Sequence, residues 1–394
     1  MKIAILTSGI LPVPAVRGGA VENLIDFYLE YNEQHRLHDI TVYSVADKAV
    51  KNHPALSAKL NHYHYINVNS LLAKIDKRIF HYVLHNYGYY HYSTEYFLQK
   101  AMRHVSRQHY DMIVLENRPA YSLKMLGRTS APLVYHLHNE KLTPEVNKCQ
   151  DIYGAATGII TVSDFIRKGV LSINPEDTKT QTVYNGIDLE AFKPQGTPDR
   201  TLLGLSDTDF VMVYSGRMNE QKGIRQLIEA MLQLKDYQDI KLLVIGGNFY
   251  GVSDNNDPFI QTLKQTSAPL QDRIIFTGFV PYSQMPAYLG LADIALVPSV
   301  WEEPFGLTCL EAMAVGLPLI TTNKGGIPEV ANPTCSVLLD TDAHFVDSMA
   351  QAILDLYHHP EKRKAMSQAA LLHVRQFSKE HYAKNFFEAL SHIR

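Results

Sequence analysis

The sequence predicts an α/β protein with two doubly wound parallel sheets, and three observations support this fold class. Short runs rich in β-branched residues recur along the chain, each too short for a helix and separated from the next by a helical stretch. The alternation is interrupted by a polar segment rich in Pro and Gly at 193–200. The 394 residues suffice for two medium domains that each bury a core. We therefore expect two domains facing each other across a cleft, with 193–200 as the linker.

The first domain is predicted to span 1–192. It opens with a strand at 2–7 and a loop through Arg17-Gly18-Gly19, after which AVENLIDFYLEY has apolar residues at helical spacing. Five further strands are predicted in DITVYSV, YDMIVLEN, PLVYHLH, TGIITVS and KTQTVYNG. Because these runs are apolar nearly throughout, we expect a parallel sheet that helices cover on both faces.

The second domain is predicted to span 201–376, with strands in FVMVYSG, IKLLVIGG, RIIFTGF, DIALVPS, LPLITT and SVLLD. Helices are predicted near 223–235, 258–267, 283–292 and 306–315. From Asp342 onward only helices are expected, with a break at His359-Pro360, and the last segment, 377–394, is expected to pack back on the first domain. Such sheets bind ligands at the carboxyl ends of their strands, so the cleft is the expected site.

Composition excludes several classes of protein. Hydrophobic residues make up 46% and charged residues 20%, as in ordinary globular proteins, and no run of about 18 uncharged apolar residues predicts a spanning helix. Pro12 and Pro14 interrupt the apolar N-terminus, which favours a buried strand over a signal peptide. The three cysteines are scattered, which favours a reduced, cytoplasmic protein. A net charge of −3 argues against a general polyanion binder.

One segment combines two carboxylates with a helix start. Residues 297–314 are predicted to run from a buried strand through a loop into a helix, with Glu303 in the loop and Glu311 inside the helix. Gly306 lets backbone approach a ligand, and the first N–H groups of a helix can bind an anion. Glu311, deeper in the helix, can accept hydrogen bonds from sugar hydroxyls. The alternative interpretation is a helix with an N-terminal acid and a solvated Glu.

A second segment places two cations after the strand FVMVY. Arg217 and Lys222 lie in the first strand-to-helix loop of the second domain, where anions dock in such folds. A guanidinium suits bidentate phosphate binding, and an ammonium adds a point charge. Two solvated surface charges are the alternative. Together the two segments predict a site for a diphosphate and a polyhydroxylated group.

These segments resemble signatures of the retaining glycosyltransferases of family four, which have the GT-B architecture of two Rossmann-like domains. The family pattern E-x-F-G-x-x-x-x-E is matched by Glu303-Pro-Phe-Gly-Leu-Thr-Cys-Leu-Glu311, and G-R-L-x-x-x-K-G by Gly216–Gly223, with Met218 in place of Leu. Similar pieces are Gly18-Gly19, Thr161-Val-Ser-Asp, Tyr184-Asn-Gly-Ile-Asp, Phe276-Thr-Gly-Phe-Val and Gly325-Gly-Ile-Pro-Glu. The likeness spans nearly the whole chain and is weakest over 45–110.

The resemblance implies a role for each matching residue. The donor, a nucleoside-diphosphate sugar, would lie on the second domain, with Arg217 and Lys222 neutralising the leaving diphosphate. Glu303 would contact the transferred sugar and Glu311 the ribose. The other implied donor contacts are the Phe305, Gly306 and Leu307 backbone beside sugar and phosphate, the Phe279 and Val280 backbone at the nucleobase, and Gly18 and Gly19 at the phosphates.

A histidine at the end of a first-domain strand completes the implied catalytic set. His138 in LVYHLHN matches the family histidine that faces the donor sugar, and His136 points the same way because side chains alternate along a strand. We assign the role to His138, which is nearer the carboxyl end of the strand. A core or surface histidine is the alternative.

The implied activity is retaining hexosyl transfer to a hydroxyl of a lipid-linked or growing surface glycan, with a uridine diphosphate sugar favoured on family prevalence. No metal or cofactor is expected, because Arg217 and Lys222 serve the diphosphate, and the two D-x-D patterns, 207–209 and 340–342, are expected in turns and caps. Alternatives are a non-catalytic nucleotide-sugar-binding partner of another transferase and a sugar-nucleotide epimerase, although the charged motifs argue against the epimerase.

A basic, aromatic segment at 71–107 predicts a contact with a membrane surface. Residues 51–110 contain eight Lys or Arg against Asp76 and Glu95, together with many Tyr and His. A basic amphipathic helix with aromatic residues is typical of peripheral membrane proteins, which here implies the inner face of the cell membrane. A solvated helix beside aromatic core packing is the alternative. Nucleic-acid binding is not expected, since no such motif accompanies the charge.

Overall fold

The computed structural model describes residues 1–83, 92–193, 196, 199–247, 257–270 and 272–393. They form two compact units, Met1–Gly186 with Lys379–Arg394, and Ile187–Ser378. The division precedes the predicted linker at 193–200, because Ile187 pairs with Ser378 and its N–H donates to the carbonyl of Phe377 at 2.8 Å. Four linker residues, and 84–91 of the basic, aromatic segment, lie outside the described residues.

The first unit contains a parallel sheet of seven strands. They are β1 (Lys2–Leu6), β2 (Asp39–Val45), β3 (Asn61–Ile66), β4 (Met112–Glu116), β5 (Leu133–Leu137), β6 (Gly158–Thr161) and β7 (Thr180–Thr182), in the order β3-β2-β1-β4-β5-β6-β7. The sequence predicted six of them and missed β3. Its residues, NHYHYI, lack an apolar run because β3 is an edge strand whose central side chains are only partly buried.

Between β1 and β7, the described residues form six α-helices. They are α1 (Ala20–His35), α2 (Leu71–Val83), α3 (Tyr92–Val105), α4 (Ser122–Met125), α5 (Cys149–Ala155) and α6 (Asp164–Leu171). The predicted helix in AVENLIDFYLEY is confirmed as part of α1. Its buried side chains, which include Leu24, Ile25 and Tyr28, pack on the sheet core.

The second unit contains a parallel sheet of six strands. They are β8 (Phe210–Ser215), β9 (Ile240–Ile245), β10 (Ile274–Gly278), β11 (Ile294–Val297), β12 (Leu319–Thr322) and β13 (Ser336–Leu339), in the order β10-β9-β8-β11-β12-β13. All six were predicted from the sequence, which reflects runs such as IALV and LITT that are buried at every position.

The described residues of the second unit form seven α-helices. They are α7 (Ile224–Gln233), α8 (Pro258–Ser267), α9 (Met285–Leu289), α10 (Leu307–Ala314), α11 (Ile327–Val330), α12 (Phe345–His358) and α13 (Pro360–His373). The predicted break at His359-Pro360 falls between α12 and α13, where Pro360 occupies the first turn of the new helix. Across the part of the chain that the structure describes, no helix combines the length and apolarity that a bilayer crossing needs.

The last helix, α14 (Lys379–His392), belongs to the first unit. It packs against α1, where the ring of Phe386 stacks on Tyr28 with centroids 4.3 Å apart. Tyr382, Phe387 and Leu390 are buried in the same cluster. The core of the first unit is therefore completed by residues distant in the sequence.

Each sheet has one point at which the strand order reverses. In the first unit it lies between β1 and β4, and in the second between β8 and β11. Crossover connections leave such neighbouring strands on opposite sides, which opens a crevice at their carboxyl ends where ligands bind in doubly wound folds. The loops that follow these strands carry most of the candidate site residues.

Candidate active site

In the second unit, the loops that follow β8 and β11 are in contact. A Cβ atom on Gly223, whose φ is +70°, would lie 1.7 Å from the carbonyl oxygen of Pro298, so another side chain would displace the loop. The N–H of Val300 and the hydroxyl of Ser299 both donate to the carbonyl of Gln221, at 2.9 and 3.2 Å. The two predicted segments therefore converge at the switch point.

Lys222 and Glu303 form an ion pair at this convergence. The ammonium nitrogen lies 2.5 Å from Oε1 of Glu303, and the hydroxyl of Ser299 donates to the same oxygen at 2.6 Å. Glu303 is 7% exposed, and a carboxylate buried to that extent needs a paired cation. The sequence assigned Lys222 to the diphosphate and Glu303 to the sugar, whereas the structure joins them. Ser299 was not predicted.

Two glycines support the Glu303 loop. The N–H of Gly326 donates to the carbonyl of Glu303 at 2.7 Å, and that of Gly325 donates to the carboxylate of Glu302 at 2.6 Å. A Cβ atom on Gly325, with φ +56°, would lie 2.1 Å from the carbonyl oxygen of Glu303. This close backbone approach explains why the Gly-Gly-Ile-Pro-Glu piece follows β12.

Arg217 remains available to an anion. Its side chain is exposed and forms no ion pair with any residue that the structure describes. The backbone beneath it is fixed, because the buried hydroxyl of Tyr214 donates to the carbonyl of Arg217 at 2.8 Å. The side chain of Asn219 accepts from the N–H of Lys222 at 3.2 Å and orders the rest of the loop. A guanidinium in this position can bind a phosphate through two hydrogen bonds.

The start of α10 offers backbone rather than side chains. Gly306 precedes the helix with φ +104°, while the side chain of Phe305 is buried and that of Leu307 is partly buried. Glu311, one turn further into α10, forms a hydrogen bond with Tyr282, and burial raises the pKa of Glu311 to about 7. The sequence analysis did not identify Tyr282, whose hydroxyl is the hydrogen-bond partner of the Glu311 carboxyl group.

The predicted nucleobase contacts follow β10. Phe279 is 47% exposed and Val280 is 8% exposed. The N–H of Gly246 donates to the carbonyl of Gly278 at 2.9 Å, which holds the end of β10 beside the loop after β9. The backbone of 279–280 thus lies at the carboxyl edge of the sheet, as do the cationic and acidic loops.

In the first unit, Gly18 and Gly19 precede α1 with φ values of +71° and +109°. A Cβ atom on Gly19 would lie 2.2 Å from Oε2 of Glu22 and displace that carboxylate, and a side chain at a φ of +109° would be strained. Burial raises the pKa of Glu22 to about 7, and the charge of Glu116 adds to the effect. The start of α1 therefore combines the backbone of two glycines, Gly18 and Gly19, with the carboxyl group of Glu22, whose pKa is raised.

His136 and His138 both contact Glu116, which ends β4. The distances from the carboxylate to His136 Nδ1 and His138 Nε2 are 3.1 and 2.9 Å, and Tyr28 donates its hydroxyl to Oε1 at 2.9 Å. The expectation that both histidines point the same way agrees with their ring separation of 4.1 Å. The sequence analysis missed Glu116, because an acid that ends an apolar run such as MIVLE is common and does not by itself indicate a partner.

Burial governs the electrostatics of this cluster. Burial alone would raise the pKa of Glu116, but the charges and hydrogen bonds of the two histidines outweigh it and lower that pKa to about 2. Burial lowers the pKa of His138 to about 4, even though Glu116 acts in the opposite direction. The carboxylate is thus ionised, and His138 stays neutral at neutral pH, with its Nδ1 buried and unpartnered among the described atoms.

The donor atoms of the same cluster are close enough to bind a metal ion. Carboxylate and imidazole atoms of Glu116, His136 and His138 lie within 4.8 Å of one another. A metal-bound histidine usually donates its second ring N–H to a partner, but His136 Nε2 and His138 Nδ1 have none among the described residues. The donor set therefore fits a hydrogen-bonded carboxylate better than a metal. The D-x-D patterns make local turns, in which Asp209 accepts from Ser206 N–H and Asp342 from His344 N–H.

Comparison with known proteins agrees with this geometry. Residues 198–373 match the family model "Glycosyl transferases group 1". The chain is 29% identical to a putative glycosyltransferase, YtcC, of Bacillus subtilis, over 98% of this chain and 90% of that one. It is 27% identical to the lipopolysaccharide 1,2-N-acetylglucosaminetransferase of Salmonella typhimurium, over 73% and 74%. Anabaena HepE, solved in complex with UDP-glucose, superposes with a TM-score of 0.73 at 22% identity, covering 99% of each chain. Residues 198–373 therefore match the glycosyl transferases group 1 family, and the chain has the GT-B fold that the resemblance implied.

Proposed function

We propose that this protein is a retaining glycosyltransferase that moves a hexosyl residue from a UDP-sugar to a hydroxyl of a lipid-linked or growing surface glycan. The observation that carries the proposal is the Lys222–Glu303 pair at the switch point of the second unit, together with Arg217 in the same loop as Lys222, which forms no ion pair among the described residues. In the reaction, the bond from the anomeric carbon to the diphosphate breaks and a bond to the acceptor oxygen forms. The acceptor proton leaves with the released diphosphate.

The charges of the second unit suit that chemistry. Negative charge develops on the departing diphosphate, and Arg217 can bind it in a bidentate manner while Lys222 adds a second positive charge. The carboxylate of Glu303 is then able to accept hydrogen bonds from sugar hydroxyls, and Glu311 with Tyr282 suits the ribose diol. Because two cations serve the diphosphate, we propose a reaction that needs no metal. The roles of His138, Gly18 and Gly19 stay predictions.

Donor and acceptor classes are inferred from relatives and from the surface. HepE was solved with UDP-glucose, which supports a UDP-hexose donor, and the Salmonella relative is named for a lipopolysaccharide acceptor. In the first unit, α2 exposes an apolar face formed by Leu71 (75%), Leu72 (67%), Ile75 (47%), Ile79 (52%) and Tyr82 (78%). At 100° per residue these five side chains fall on one side of the helix. We propose that this face contacts the cytoplasmic leaflet, where a lipid-linked acceptor would lie.

Thermal unfolding with nucleoside diphosphates tests the donor assignment. UDP and UDP-hexoses are expected to raise the melting temperature of the second unit, since a ligand at about 100 times its dissociation constant adds about 2.7 kcal/mol to the bound state. The shift should be insensitive to EDTA and lost in Arg217→Ala. Arg225→Ala is the matched control, because Arg225 is also a partly exposed cation of this unit but pairs with Glu220.

Other outcomes would redirect the proposal. Stabilisation by another base series would replace uridine as the nucleobase, and stabilisation that requires a divalent ion would contradict the metal-free site. If UDP-sugars bind but are neither transferred nor hydrolysed with any acceptor tried, the protein is a nucleotide-sugar-binding partner. If no nucleotide shifts the melt, the donor assignment is wrong.

Binding to phospholipid vesicles tests the membrane contact. Replacing Leu72 and Ile79 by Ser should lower co-sedimentation with vesicles at least about tenfold, because each change removes apolar surface that would be buried in the lipid interface. Leu126→Ser is the control, since Leu126 is 56% exposed in the same unit but outside α2. Equal vesicle binding by the α2 variant and the control would contradict the contact.

A further inference from the structure

A basic groove lies between β3, the start of α2 and α3 in the first unit. Its volume is about 480 Å³, and its charged and aromatic lining consists of His64, Tyr65, Tyr96, Lys100, Arg103, His104 and Arg107. It is distinct from the carboxyl ends of β4 and β5, where Glu116 and the two buried histidines lie. We call it the α2–α3 groove.

The cations of the α2–α3 groove have no acidic partner among the residues that the structure describes. Lys100, Arg103 and Arg107 recur at spacings of three and four residues, so they follow one face of α3 and the turn after it. None of the three forms an ion pair with a residue that the structure describes, and no carboxylate is among the lining residues. The acid of α3, Glu95, is 1% exposed and is paired with Lys124 instead. The groove thus presents three unbalanced positive charges.

Ring stacking and hydrogen bonds hold one wall of the groove. The rings of His64 and His104 stack with centroids 4.0 Å apart, and His104 Nδ1 lies 2.7 Å from the hydroxyl of Tyr43. That hydroxyl is in turn 2.8 Å from the hydroxyl of Tyr110. Lys100 lies 5.3 Å from the ring of Tyr96, which lines the groove as well. Three flexible cations therefore surround a pocket whose aromatic floor is fixed by hydrogen bonds.

Apolar surface adjoins these charges on one side. Leu72 lines the groove and is also part of the exposed face of α2. A free anion would need the cations alone, whereas an anionic lipid has acyl chains beside its phosphate. The cations of the groove thus lie next to apolar surface, just as the phosphate of a lipid headgroup lies next to the acyl chains.

We propose that the α2–α3 groove binds the phosphate of an anionic lipid headgroup while the exposed face of α2 lies against the acyl chains. The inference rests on the membrane contact proposed above and names the chemical group that the first unit recognises there. It is independent of the donor site, because none of the residues that line the groove is among the proposed donor contacts.

Vesicle binding by groove variants is the test. The whole protein is sedimented with vesicles of phosphatidylcholine, with and without phosphatidylglycerol, and inorganic phosphate is titrated as a competitor. Wild-type protein should prefer the anionic vesicles, and the double variant Arg103→Ala, Arg107→Ala should bind them roughly thirtyfold more weakly, from about 1 kcal/mol per basic residue. Arg103→Lys with Arg107→Lys should retain most of the binding. The charge-matched control is Arg128→Ala with Lys168→Ala, two exposed cations of the first unit outside the groove.

Each outcome decides a separate point. Equal weakening in the groove variant and the control would overturn the groove and leave a general charge effect. Loss of wild-type binding at millimolar inorganic phosphate, with no preference for anionic vesicles, would assign the groove to a free phosphate and overturn the lipid. UDP binding is measured on the same samples. Its absence in wild-type protein would contradict the proposed transferase without touching the groove, and its retention in a variant that has lost vesicle binding shows that the variant is folded.

Discussion

Replacing Lys222 by alanine is expected to lower kcat for sugar transfer about 10²- to 10³-fold, the usual cost of removing one group that stabilises charge in a transition state. The change removes a cation from the leaving diphosphate. It also leaves the carboxylate of Glu303, which is 7% exposed, with the Ser299 hydroxyl as its one side-chain partner among the described residues, so its charge would repel the donor. The rate of UDP release is measured with the sugar nucleotide that the thermal panel selects.

Two variants separate this effect from a loss of charge or of folding. Lys222→Arg keeps the positive charge and should retain more activity than the alanine variant. Lys362→Ala breaks an exposed ion pair of the same unit, with Asp355 at 2.6 Å, and should leave kcat unchanged. If Lys222→Ala transfers sugar at the wild-type rate, Lys222 has no part in the reaction.

The central strands were predictable because strands that are buried on both faces of a parallel sheet appear in the sequence as continuous apolar runs. Runs such as IALV and MIVLE are buried at every position, and no polar periodicity competes with them. The edge strand β3 lacks such a run, since NHYHYI is buried only at its ends. Propensity and pattern therefore predict central strands well and edge strands poorly.

The division between the units was harder to predict, because it depends on pairing between distant residues. Pro and Gly mark 193–200 as irregular, yet the chain already hydrogen-bonds within the second unit at Ile187, through Phe377 and Ser378. Local composition indicates where the chain cannot form a helix or strand. It does not indicate which of the two units a connecting segment such as 187–192 packs against.

The site residues were predictable singly, but not the contacts among them. Motif spacing singled out Lys222 and Glu303 as candidates, while their pairing spans 81 positions of sequence and depends on two loops meeting at the switch point. Glu116 escaped notice because an acid at a strand end is common, and only the fold places it between two histidines and a tyrosine. Sequence therefore names the charged groups, and the fold decides which of them neutralise one another.

Replacing Glu116 by leucine is expected to lower the free energy of unfolding of the first unit by about 3–5 kcal/mol, the cost of breaking a buried charged network by removing one partner. The carboxylate is fully buried and accepts from Tyr28, while its contacts with His136 and His138 lie at 3.1 and 2.9 Å. Leucine would leave the hydroxyl and two ring nitrogens without acceptors. Denaturant unfolding at neutral pH measures the loss, in the transition that UDP does not shift.

The dependence of this loss on pH tests its electrostatic origin. The pKa of Glu116 is about 2 in the folded protein against an ordinary value of 4.5, so its stabilisation is complete above about pH 4.5 and is lost as the pH falls toward 2. The difference in unfolding free energy between wild type and Glu116→Gln should therefore shrink across that window. His138, with its pKa lowered by burial, makes folding less favourable as the pH falls from 6.5 to about 4 in both proteins.

A control and a contrary result complete the argument. Glu176→Gln alters an exposed carboxylate of the same unit and should change the unfolding free energy by less than about 0.5 kcal/mol at any pH. If Glu116→Leu costs no more than this control, the three donors have found other acceptors and the cluster is not held by the carboxylate. A large cost that persists unchanged down to pH 2 would indicate packing around Glu116, rather than its charge, as the source of stability. Because α14 contributes Phe386 at 5.1 Å from the ring of His136, either result also reports how the end of the chain stabilises the first unit.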